Sequence, residues 1–373
     1  MNPQVAASLR RQLLQAYPWV KPPFLVSAPM RIMAGPHLAV AVTSAGGLGF
    51  IGPAARNEDT LSDLEAARTL LGFTSSSSSP ASALPVGIGF QTWNGDLQAA
   101  AAAVQTYIPC AAWLFAPRNG QVEFDQWSAT LRRASPATQI WIQVGTVDEA
   151  LAAARSPEAP DVLVLQGAEA GGHGRAVDGQ GTVVLLPEAA DALLDALSPS
   201  SSSSPSSSSG SLRRIPLVAA GGIVDGRGVA AALGLGAAGV AMGTRMLAAT
   251  EARISKGYQA EVLRASDGAR CTVRTQLYNH LRGTFGWPEQ FAPRTVINRS
   301  WVEHQAGVPF DELKVRHDEA AKTGDAGWGP EGRLATYAGA GVGLVRSVQE
   351  ADVIIQEVRE DAQAILRSLV DDA

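Results

Sequence analysis

Eight short runs of strand-forming residues, each closed by Gly or Pro and followed by an alanine- and leucine-rich stretch at helical spacing, constrain this 373-residue chain more than any other feature. The runs fall at residues 24–27, 49–52, 86–90, 112–115, 140–144, 162–166, 217–220 and 240–242. Several are almost continuously apolar, as strands buried on both faces must be. Segments 148–154 and 226–233 carry helices, and Asp225 suits an N-cap because its carboxylate can accept from the free amides of the first turn. Eight such units predict an α/β fold, a (β/α)8 TIM barrel.

The pattern changes after Met246. Residues 254–264 read as helix, 274–330 are rich in Gly, Pro, Trp and Arg, and helical periodicity returns over 347–369 with a stripe of Val353, Ile354, Val358, Ala362, Ile365 and Leu369. The stripe suits the barrel's eighth helix. The predicted division is therefore a barrel over 1–247 and 337–373, with a mostly helical and irregular cap, 248–336, inserted after the eighth strand as the substrate segment. Two serine tracts, 75–79 and 198–211, have too little apolar surface to offset the entropy of ordering and are expected to be disordered insertions. Both fall between a helix and the next strand, on the face opposite the βα loops.

Composition narrows the function classes. Hydrophobic residues make up 46% and charged residues 17%, enough for a large core; the net charge of −5, without a basic cluster, argues against nucleic acid as a partner. Cys110 and Cys271 lie far apart and lack neighbours at ligand spacing, and His280, His304 and His317 show no paired spacing, so neither a disulfide framework nor a metal site is expected. The first residues lack the apolar core of a signal peptide, no stretch approaches about 20 uninterrupted apolar residues, and 371–373 do not match a peroxisomal address. A cytoplasmic protein without a membrane partner is the expectation; self-association is left open.

Three elements carry candidate chemistry. Glycine-rich turns end the last two strands, Ala219-Ala220-Gly221-Gly222-Ile223 and Met242-Gly243-Thr244-Arg245. Without Cβ atoms, glycines let backbone amides approach an anion closely, and a helix start nearby adds a favourable dipole. Glycines also shape tight turns with no ligand, but the pairing at strands seven and eight is where barrels bind phosphate. Thr244 could add a hydroxyl and Arg245 a charge. After the sixth strand, Gln166-Gly167-Ala168-Glu169-Ala170-Gly171-Gly172-His173-Gly174 leaves an uncrowded imidazole that can be neutral near physiological pH and serve as a general base. The first strand ends in Ala28-Pro29-Met30, where a soft side chain could meet a flat heterocycle. Trp287, Trp301, Trp328 and Tyr337 either roof this region or pack within the cap.

The ordered succession APM, AGP, SAGGLGFIG, IQVGT, LQGAEAGGHG, VAAGGI and MGTR resembles the nitronate monooxygenases, formerly 2-nitropropane dioxygenases, and most of all their fungal members. It covers roughly residues 24–247 and resumes over 337–344. The resemblance implies non-covalent FMN, with Ala28, Pro29 and Met30 along the isoalloxazine, Gln166, Gly171 and Gly172 at the ring or ribityl chain, and Gly221, Gly222, Ala241, Met242, Gly243 and Thr244 around the phosphate. It implies that His173 removes the proton α to a nitro group, with a small nitroalkane or nitronate and O2 as the reactants. Gly89 stands at a flavin-facing position where the family often has Asn, so a hydrogen bond is either missing there or supplied by Gln91 or Asn94. Phe115-Ala116-Pro117 replaces a more polar family sequence. A flavin reductase using NAD(P)H, of quinone or enoyl-thioester type, shares the GGH element and phosphate turns and remains an alternative, as does a flavin-binding protein without turnover.

Overall fold

All eight predicted runs become parallel strands. In the computed structural model, which describes residues 3–73, 83–197 and 213–371, eleven strands follow in chain order: β1 Leu25–Ser27, β2 Leu48–Ile51, β3 Leu84–Gln91, β4 Pro109–Phe115, β5 Gln139–Val144, β6 Val162–Gln166, β7 Gly172–Arg175, β8 Leu217–Ala220, β9 Gly239–Met242, β10 Thr272–Arg274 and β11 Phe291–Val296. The order β1-β2-β3-β4-β5-β6-β8-β9 closes on itself, with Leu25 opposite Val240 and Ser27 opposite Met242. The chain is thus a (β/α)8 barrel. β3 and β4 begin two and three residues earlier than their local sequence suggests, because Leu84 and Pro109 extend the ladder between them. The two serine tracts lie outside the described residues.

Alternation along each strand divides the core. Leu25, Ile88, Ile142, Leu163 and Val240 point to the helical layer, whereas Val26, Phe50, Trp113, Trp141 and Val164 fill the lumen. Phe50, Trp113 and Trp141 pack with ring centroids 5.2–5.7 Å apart, the two indoles stacked and Phe50 edge-on to Trp113. A Cβ at Gly87 would sit 2.2 Å from the Phe50 ring, so the missing side chain is what admits Phe50. The helix Pro3–Ala16 closes the barrel floor with Leu9 and Leu13, each contributing roughly 1.5–3 kcal/mol by burial. Next to it Trp141 Nε1 donates to the Tyr17 hydroxyl at 2.7 Å. The lumen is therefore filled from below, and its open space lies above Trp113.

Asp225 caps the helix Gly226–Gly234 by accepting from the amides of Arg227 and Gly228. The helix Ala351–Asp371 packs between that helix and Pro36–Ser44, in the place of an eighth barrel helix. Its buried stripe is Ala351, Ile354, Ile355, Val358 and Ala362; Val353 and Ile365 are only half-buried and Leu369 is 64% exposed, since the helix outruns the barrel surface. From this helix the buried Arg359 donates to the carbonyls of Ala45 and Gly46 at the end of Pro36–Ser44.

The predicted helix at 254 starts two residues later, at Lys256, because Ser255 is its N-cap and accepts from Tyr258 N. Beyond it come the short helices Gly268–Cys271, Leu277–Leu281, Arg299–Gln305 and Phe310–Lys322. They flank a three-stranded antiparallel sheet, β10-β11-β7, which the sequence did not announce. Its edge strand β7 reads GHGR, with no strand-forming residue, and is extended only because β11 pairs with it. No helix among the described residues is long and apolar enough to cross a membrane.

Candidate active site

The same alternation that fills the lumen sets the residues at its mouth. One step beyond the aromatic layer, Gln91, Phe115, Gln143, Gln166, Ala220 and Ala241 point inward around a cavity of about 590 Å³ whose floor is Trp113. Trp113 Nε1 donates to Gln143 Oε1 at 3.0 Å, holding that amide upright. Such a volume lies within the range of about 300–1,000 Å³ expected of cofactor and small-molecule sites.

The sequence-predicted loops converge here. Ala28, Pro29 and Met30 form one wall; Gly221 and Gly222 with Ala241, Gly243 and Thr244 form another; Gln166, Gly171, Gly172 and His173 form a third. Gly221 and Gly222 have φ of +106° and +74°, the left-handed region that other residues reach only at a cost, so the backbone turns there with no side chain in front of it. Thr244 Oγ1 accepts from Gly339 N at 2.9 Å, which leaves the hydroxyl proton available to the cavity. This glycine-lined corner is a fitting cradle for a phosphate.

Three predicted residues stand elsewhere. Gly89 does not line the cavity: a Cβ there would lie 2.4 Å from Pro29 Cβ, so Pro29 stands in front of it, while Gln91 and Asn94 do reach the space. Met242 follows the strand alternation outward and is fully buried against the helical layer. Arg245 is buried and turned away; it donates to Ser347 O and to Gln349 Oε1, tying the turn to the C-terminal segment and leaving the cradle without its charge.

His173 lies on β7, held from both sides. Gln166 Nε2 donates to the His173 carbonyl at 3.2 Å. On the opposite side Arg274 of β10 donates to the carbonyls of Gly172 (3.0 Å), Ala292 (2.5 Å), Ala168 (3.2 Å) and Ala170 (2.8 Å), and Arg294 of β11 donates to Ala168. One guanidinium with rigid donors thus fixes the glycine loop that carries the imidazole. Its own pKa is pushed down to about 10 by burial and by Arg294.

The imidazole stacks on Trp287, with centroids 3.5 Å apart and planes within 8°. Burial, with Arg274, Arg282 and Arg31 nearby, pushes its pKa down to about 3. It is therefore neutral at any physiological pH. Asn279 Nδ2 lies 2.9 Å from His173 Nε2, and Tyr337, Trp93 and Trp328 complete the roof. Tyr337 is pinned by Tyr258, whose hydroxyl donates to its carbonyl at 2.9 Å and accepts from its amide at 2.7 Å. Trp301 packs inside the cap instead. Arg31, Arg253 and Arg282 line the cavity and no Asp or Glu does; Arg253 is paired with Asp63, so Arg31 and Arg282 give the mouth its cationic character although the chain as a whole is acidic. No group of three His, Cys, Asp or Glu among the described residues could hold a metal.

Sequence reasoning missed Arg274, Gln276, Asn279 and Gln143. Gln143 had a signal, since period-2 alternation from Trp141 makes it inward-facing. The other three lie in a segment without clear periodicity.

The family model described as Nitronate monooxygenase matches residues 126–283. The chain is 63% identical over 362 residues to a nitronate monooxygenase, npaC, of Metarhizium robertsii, covering 97% of each chain. It is 33% identical to a nitronate monooxygenase of Neurospora crassa, over 95% of this chain and 92% of the other. A solved nitroalkane oxidase from Streptomyces ansochromogenes superimposes with a TM-score of 0.68 at 23% identity, covering 96% of this chain and 99% of that one, a likeness of fold.

Proposed function

The chain belongs to the nitronate monooxygenase family, and from that premise we propose that this oxidoreductase binds FMN and oxidises small nitronates and nitroalkanes with O2, with His173 as the base. The observation that carries the reading is the meeting of a neutral imidazole, a glycine-lined anion corner and the Ala28–Met30 wall in one cavity.

When bound, FMN supplies an electron-accepting ring that takes two electrons from the nitronate and returns them to dioxygen. Gly222, Gly243 and Thr244 would hold its phosphate through backbone amides and one hydroxyl, and Ala28, Pro29 and Met30 would support the ring. Gln91, Asn94 and Gln166 offer amides to its polar edge, doing the work that a residue at Gly89 cannot. The cap segment 248–336 supplies the substrate walls.

His173 takes the proton from the carbon next to the nitro group, and the negative charge passes to the nitro oxygens. A ring with a low pKa is a weak base in isolation, but the nitronate charge forming beside it favours the imidazolium at the moment of transfer. Arg31 and Arg282 favour the same anion from the rim. Pre-ionised nitronates need no base and enter the sequence after this step.

Anaerobic mixing tests the reading. A nitronate should bleach the oxidised flavin band within turnover time while NADPH leaves it unchanged; rapid bleaching by NADPH with none by nitronate would assign the site to a reductase instead.

A further inference from the structure

The cap holds a chain of side-chain amides whose polarity is anchored in a backbone carbonyl. Gln276 Nε2 donates to Phe291 O at 2.6 Å, and because a carbonyl can only accept, the nitrogen of this amide is fixed toward β11 and its oxygen toward Asn279. Asn279 Nδ2 in turn donates to Gln276 Oε1 at 2.7 Å, and Asn279 Oδ1 accepts from the Tyr337 hydroxyl at 3.3 Å. Both partners orient the amide the same way. Its second N–H therefore points at His173 Nε2, 2.9 Å away.

The geometry points to Gln276 and Asn279 as positioning residues that set the tautomer of His173: Nε2 carries the lone pair and the single proton resides on Nδ1. Facing a donor, Nε2 cannot hold a proton in the resting enzyme, so the relay keeps the ring in its proton-accepting form, with the lone pair held by the Asn279 N–H at the cavity wall. The charged groups around the ring act in the same sense: Arg274 from β10, Arg282 after Leu277–Leu281 and Arg31 after β1 are all cations, and no carboxylate lines the cavity to oppose them. As the substrate approaches Nε2 it displaces the Asn279 amide, whose freed N–H is then beside the atom being deprotonated and can donate to a nitro oxygen. No bond other than the substrate C–H breaks, and its proton ends on Nε2.

This inference rests on the proposed role of His173 as base, and the experiment separates the two. Imidazole ¹⁵N shifts of the flavin-loaded protein should report an unprotonated Nε2 and a protonated Nδ1 from pH 8 down to pH 5. Asn279→Asp reverses the polarity, placing a carboxylate against Nε2. His173 should then take up a second proton within that range, and the ratio of neutral nitroalkane to nitronate oxidation at pH 7 should fall about tenfold or more, recovering as pH rises. Gln276→Leu, which removes only the anchor, should give mixed tautomers. A parent spectrum with the proton on Nε2, or an Asn279→Asp protein with unaltered shifts and ratio, overturns the relay. If the shifts behave as stated but His173→Gln oxidises nitroalkanes normally, the relay stands and the base assignment falls.

Discussion

At His173 two consequences of burial can be measured separately. The pKa of about 3 lies below the value of about 6.5 expected of an unfolded histidine, so between those limits the unfolded chain binds the extra proton. Stability contributed by the neutral ring is complete above about pH 6.5 and is lost as pH falls toward 3. Urea midpoints of the parent should decline over that interval more steeply than those of His173→Gln; parallel declines would mean that the imidazole is solvated. In kinetics, His173→Gln should retain flavin and lose roughly a hundred- to ten-thousand-fold in kcat/KM for neutral nitroalkanes, the usual worth of general base catalysis, with a much smaller loss for nitronates. Gly89 offers a third measurement. Restoring the family's usual asparagine should not restore a flavin contact, because its Cβ would collide with Pro29. Gly89→Asn is expected to cost about 1–3 kcal/mol through overpacking and to weaken flavin retention, read by urea titration and by flavin released on dilution.

At the scale of elements, the loop bearing His173 owes its shape to β10 and β11 more than to its own sequence. Arg274 donates to four carbonyls at once; Ala168 would keep Arg294, but Arg274→Leu would take this donor from the carbonyls of Gly172, Ala170 and Ala292, at about 1–3 kcal/mol for each one left unpaired. A total loss of about 3 kcal/mol or more is expected in chemical denaturation, with Arg274→Lys failing to rescue because a point ammonium cannot span the same set. The helix Gly226–Gly234 makes a contrasting case: Asp225→Ala should cost about 1 kcal/mol of stability and leave turnover intact, since the carboxylate serves the helix cap and an ion pair with the exposed Arg227 and does not line the cavity. These two elements also mark what the sequence could disclose. Asp225 was legible as a cap because its partners are the next two or three residues. β7 was not, because GHGR becomes a strand only through pairing with Phe291–Val296, more than a hundred residues later. Arg245 misled for a related reason: its place in the turn suggested a phosphate ligand, whereas its partners are Ser347 and Gln349 at the far end of the chain.

Across the whole molecule, a barrel filled from below by Phe50, Trp113 and Trp141 and closed by the helix Pro3–Ala16 leaves its loops a large shared space above Trp113 to address. That is why motifs far apart in sequence could be read as one site: parallel strands deliver all their C-terminal ends to the same rim. The cap was less legible, its helices lacking a long apolar period and its sheet depending on distant pairing. The residues it adds, Asn279 and Trp287, together with Tyr337 immediately after it, decide what meets the imidazole. A crystal structure of the FMN complex tests this arrangement most directly. The phosphate should lie within hydrogen-bond distance of Gly222, Gly243 and Thr244, with the ring across Ala28–Met30 and one face open to His173 Nε2. A flavin bound outside this cavity, or a ring walled off from His173 by intervening side chains, would contradict it.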